Sequence, residues 1–197
     1  MWRVVLYVTP LTAALSVAAA AALALVLARW RARAPQTARR AARALGLAWL
    51  TLVLAATLLP TQPLGSGGRS VFRTPGEGLW GPRPPFVDAD ERHLIVALQT
   101  ANAAMFVPLG ILTSASARRP STPRATLLCA ALSVSVELAQ LVMAAGRVVD
   151  VDDVLFNTAG ALLGAALLTT SNHLTGSLHT ISGSRGGRGA RRRPFRA

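Results

Sequence analysis

GRVVDVDDVLFNTAGALLG, residues 146–164, places one arginine and three aspartates within eight residues and then runs into an apolar stretch broken only by Asn157 and two glycines. The second half has the composition of a helix that crosses a bilayer, where an ionised group at helix centre costs about 2.5–3.5 kcal/mol on insertion scales. The aspartates therefore belong at the mouth of a span, and the rest of the chain has to supply its neighbours. Asp150, Asp153, Asn157, Gly160 and Gly164 recur at intervals of 3, 4, 3 and 4, which puts all five on one helical face.

Four further apolar runs precede this one. They are Val4–Ala28, Ala41–Leu59, Leu94–Ser114 and Ala125–Ala145, and the fifth is Val154–Thr170. About 20 apolar residues cross the hydrocarbon core, so the expected fold is an all-α, polytopic helical membrane bundle of five spans. All 21 basic residues are arginine, against eight acids, for a net charge of +13. Such an excess suits nucleic acid or an anionic surface, and position decides between them. Arg29, Arg31, Arg33, Arg39, Arg40 and Arg43 follow the first run, and Arg118, Arg119 and Arg124 lie between the third and fourth. Arg185, Arg188, Arg191, Arg192, Arg193 and Arg196 lie in the tail. By the positive-inside rule these three segments are cytoplasmic, with the N-terminus outside and the C-terminus inside. The first run has only Arg3 ahead of it, so it reads as an anchored helix and not as a cleaved signal.

The expected organisation is two N-terminal spans with an arginine-rich cytoplasmic loop (1–59), an extracytoplasmic Pro/Gly-rich loop (60–93), a three-span core (94–170) and a disordered basic tail (171–197). Leu79, Trp80 and Phe86 suit the headgroup level. The tail has the look of an RNA-binding RGG segment, but beside a membrane its expected partner is anionic lipid headgroups, and nucleic acid is not expected.

Two other spans carry stripes of the same kind. Ser133, Glu137, Gln140, Ala144 and Arg147 are spaced 4, 3, 4, 3, and Asn102, Phe106, Leu109 and Thr113 fall on one face of the third span. With the third span running inward and the fourth outward, these polar groups converge on the outer half of the bundle. Asn102, Glu137, Gln140, Arg147, Asp150, Asp153 and Asn157 are the candidate ligand-binding set. Phe106, Pro108, Gly110, Gly160 and Gly164 are candidates for helix packing, the last two as a small-xxx-small contact. A plainer reading stands beside this one. Asp150 suits an N-cap with Asp153 as its capping-box partner, and Arg147 suits an ion pair with either. A cap does not call for Glu137, which on these span limits lies near mid-membrane and would be tied to Asn102, Gln140 or Asn157.

Conventional chemistry finds little footing. Asp150-x-Asp152 begins like a calcium loop but continues with Val154 and Leu155, although Glu137, Asp150, Asp153 and Asn157 together offer oxygens to a hard cation. His93, His173 and His179 fall outside the apolar runs, which argues against zinc or a Ser-His pair, and the lone Cys129 against a disulfide or a cysteine-based metal site. No cofactor and no metal are expected.

NAAMFVPLG (102–110), SVSVELAQ (133–140) and RVVDVDDVLFNTAGALLG (147–164), in this order, resemble the VanZ-like family of bacterial membrane proteins over residues 94–168. The resemblance implies a polytopic fold in the cell membrane and a link to the envelope, since the founding member is associated with low-level resistance to the glycopeptide teicoplanin. Three functions remain open: binding of a glycopeptide or cell-wall precursor in an outward-facing polar pocket, carboxylate-based catalysis on an envelope lipid, or docking of another membrane protein.

Overall fold

The computed structural model describes residues 9–60, 62–67, 71–76, 89–146 and 149–186. Five helices make up most of it: α1 (Pro10–Arg33), α2 (Pro35–Leu58), α3 (Ala89–Ser116), α4 (Thr122–Met143) and α5 (Val151–Gly186). Each contains a stretch long and apolar enough to cross a membrane. Two short strands, β1 (Val71–Phe72) and β2 (Val149–Asp150), pair in parallel with Val71 opposite Val149 and Phe72 opposite Asp150.

The helix limits differ from the apolar runs for local reasons. α1 starts at Pro10, behind a capping box in which Thr9 and Thr12 each bond the other's backbone N–H. The expected cytoplasmic loop 29–43 shrinks to a break at Ala34, with Pro35 opening α2, so its arginines ride on helix ends. α5 is far longer than Val154–Thr170. It continues over 171–186, where disorder was expected from composition, and Thr175 and Ser177 hydroxyls turn back onto carbonyls of its own preceding turn. Residues 187–197, Leu79, Trp80 and Phe86 lie outside the described residues.

Contacts fix the directions of the helices. Ala103 of α3 meets Gly160 of α5 and Val107 meets Gly164, so α3 and α5 run parallel. Thr122 bonds Thr169 at 2.9 Å and Ser133 bonds Asn157 at 2.8 Å, so α4 runs antiparallel to α5. The α3–α5 seam is made of backbone. A Cβ on Gly160 would overlap the Ala103 carbonyl oxygen, one on Gly164 the Val107 oxygen, and one on Gly110 the Ala161 oxygen. Without lipid-excluding force between spans, such close approach is what lets two of them adhere. Phe106, beside these three glycines, is only 1% exposed.

α1 and α2 complete the bundle. Ala24, Leu27 and Ala28 of α1 pack with Val107, Ile111 and Leu168, and Val53 of α2 packs with Phe106, Leu109 and Cys129. The Trp49 indole of α2 donates to the Met105 carbonyl of α3 at 2.8 Å, one residue past Ala104, whose carbonyl loses its helical donor to Pro108. On the outside, large side chains such as Leu127, Leu138 and Val142 stand exposed, as a lipid-facing surface requires.

The bundle therefore has two unlike ends. One gathers the end of α2, the start of α3, the end of α4 and the start of α5, and carries the carboxylates. The other gathers the α1–α2 junction, the end of α3 and the start of α4, and carries the arginines.

Candidate functional site

At the acidic end the chain between α4 and α5 doubles back on itself. α4 stops at Ala144, held in the left-handed region (φ 43°) with its N–H on Gln140, and Gly146 (φ 77°) continues the reversal. β2 then runs back alongside α4, and the Asp150 amide reaches the Glu137 carboxylate at 3.2 Å. Glu137 thus sits in the last two turns of α4 with a backbone donor, nearer the end of the helix than the apolar run implied. The segment after α2 closes over this turn: Gly65 donates to the Met143 carbonyl at 3.0 Å and Gly67 to that of Ala144 at 2.8 Å.

Asp150 caps α5 as its position suggested, taking the Asp152 amide on Oδ1 at 2.9 Å. Asp153, the expected capping-box partner, instead faces α3 and accepts from Asn102 Nδ2 at 2.7 Å, with the Gln99 amide alongside. Asn157, 4% exposed, donates to Ser133 of α4. Gln140 turns away from the cluster and donates to the Thr57 carbonyl of α2 at 3.0 Å. The stripes on α3, α4 and α5 do face one another, but the pairs differ from those expected. Glu137 takes a backbone amide, and Asn102 goes to Asp153. Arg147 lies outside the described residues.

Three participants were not among the predicted site residues. Gln99, 2% exposed, stands one helical turn before Asn102, a spacing that was available as a signal. Asp152 is 3% exposed and accepts the Gly76 amide on both oxygens, at 2.8 and 3.0 Å. It lies off the Asp150–Asp153–Asn157 face, and nothing local announces a partner 76 residues away. Ser133 belonged to the stripe but was not counted as part of the site.

The histidines do not enter this cluster. His93 falls in α3 and His173 in α5, within the helices and not beyond them as the apolar runs suggested, and both are exposed. Among the described residues no three of His, Cys, Asp or Glu stand close enough to hold a metal ion, so the carboxylates do not converge on a cation as their spacing allowed. What remains is a set of acceptors. Gln99 Oε1 and Asn157 Oδ1 are buried and unpaired, on either side of the Asp153 carboxylate in sequence and in the same seam. An unpaired buried polar atom costs about 1–3 kcal/mol. Such acceptors suit hydrogen-bond donors brought by a ligand.

Five helices long and apolar enough to span, around a buried polar seam, define a polytopic membrane protein with its buried carboxylates collected at one end. The model of the VanZ/LLP1 family matches residues 17–172, and the chain belongs to that family. The match is longer than the 94–168 that the motifs cover and takes in most of α1 and all of α2, helices that carry no motif but pack against α3 and α5. No curated protein and no solved structure matches the chain.

Proposed function

We propose that the protein is a cell-envelope component of the cell membrane that binds, without cleaving, the polar part of a glycopeptide or a lipid-linked cell-wall precursor at its acidic end. The observation that carries this reading is the pair of unpaired amide oxygens, Gln99 Oε1 and Asn157 Oδ1, in the seam that Asp153 shares with Asn102. Sugar hydroxyls and peptide amides are the donors such a seam lacks. The positive-inside rule supports an extracytoplasmic position for this end, because the arginines gather at the other. Family membership supports an envelope role, and among the described residues neither His93 nor His173 stands in the cluster to serve Ser133 as a base, which favours binding over catalysis.

Glycopeptide susceptibility of strains carrying Asp153→Asn or Glu137→Gln tests the proposal. Both substitutions keep shape and remove charge. The expected outcome is loss of the overexpression phenotype with normal membrane levels of protein. Unchanged susceptibility in both strains would overturn the reading. Labelling of single cysteines at positions 40 and 74 tests the orientation separately, with reaction from outside expected only at 74.

A further inference from the structure

Between α2, the end of α3 and the start of α4 lies a cavity of about 750 Å³. Arg43, Arg118, Arg119 and Arg124 line it. None of the chain's eight acids falls in the segments that build this end, 29–43 and 113–128, so the four guanidinium groups have no acidic neighbour within those segments. Like charges gathered this way repel unless an outside anion joins them.

Two further features point the same way. α4 opens behind Ser121, whose side chain makes no cap bond. Pro123 has no N–H and Ala125 bonds the Ser121 carbonyl, so only the Thr122 and Arg124 amides precede the helical ladder. With no acid in the first turn, the positive end of the dipole stands unneutralised at the cavity rim. Ser114, which lines the cavity, is 1% exposed and its hydroxyl has no partner. A buried hydroxyl, bare helix amides and four arginines are together the donor set that a phosphate group takes up. Leu128 adds an apolar wall, one helical turn beyond Arg124 and 54% exposed on the lipid-facing side.

We infer that this cavity is a binding site for the phosphate-bearing headgroup of an anionic phospholipid from the leaflet at the arginine end, with Leu128 against the start of an acyl chain. The apolar wall favours lipid over a free phosphate. The site is separate from the acidic seam and does not depend on what that seam binds.

Native mass spectrometry of the full-length protein in detergent tests it, with phosphatidylglycerol, phosphatidylcholine and inorganic pyrophosphate titrated separately. One phosphatidylglycerol should bind saturably ahead of phosphatidylcholine. Each arginine near an anionic lipid surface contributes about fivefold, so Arg118→Gln with Arg124→Gln should weaken that binding about 20-fold. Ser114→Ala should weaken it by a smaller factor while leaving the charge intact. Arg29→Gln with Arg33→Gln removes the same charge outside the cavity and should leave the binding unchanged. Equal losses in the two double variants would overturn a built site in favour of diffuse charge. Pyrophosphate binding as tightly as the lipid would overturn the lipid assignment.

Discussion

The two ends of this bundle treat charge in opposite ways. At the acidic end four carboxylates each have a donor from the chain itself: Glu137 the Asp150 amide, Asp150 that of Asp152, Asp152 that of Gly76, Asp153 the Asn102 amide group. At the other end Arg31 reaches the carbonyls of Ala115 and Ala117, covering the last turn of α3, while Arg118, Arg119 and Arg124 have no acid within the segment 113–128 that carries them. The acidic end is thus closed by internal bonds whose loss leaves buried groups unpaired. The arginine end stays open to whatever anion the surroundings offer. Substitutions at the acidic end should affect stability as well as binding, those at the arginine end binding alone.

Three variants sharpen or break that contrast. The largest effect belongs to the seam that joins the ends: Gly160→Leu forces α5 away from the Ala103 carbonyl and should cost about 3 kcal/mol, read as a lower unfolding temperature in detergent. Next is Asp152→Ala, which strips the Gly76 amide of its acceptor. A charged hydrogen bond of this kind is worth about 2 kcal/mol, and proteolysis within the segment 62–76 should accelerate well before the helices unfold. Smallest is Arg118→Gln with Arg119→Gln, which should shift stability by no more than about 0.5 kcal/mol because these side chains are exposed and unpaired. A large loss of stability there would erase the distinction between the ends.

Much of this was legible in the chain. Five apolar runs announced five helices, and the 3–4 spacing of Gly160, Gly164 and Asn157 placed them on the face that meets α3 and α4. Periodicity names a face but not the atom opposite it, which is why Asn102 was placed near Glu137 and proved to bond Asp153. It is silent about Asp152 and Gly76, whose contact depends on how a Pro/Gly-rich segment folds back. Composition also misled at both edges of the arginine loop. Charge reads as loop, yet arginine is a good helix former, and a single break at Ala34 lets α1 and α2 carry six of them.

The parallel, glycine-lined meeting of α3 and α5 also bears on how the chain is assembled. α4 must be made before α5 exists to be clasped, so the α3–α5 joint closes only after the first four helices have been synthesised. Until then the carbonyls of Ala103 and Val107 lack the glycine face that meets them, and a chain cut short before Gly160 is left without its keystone.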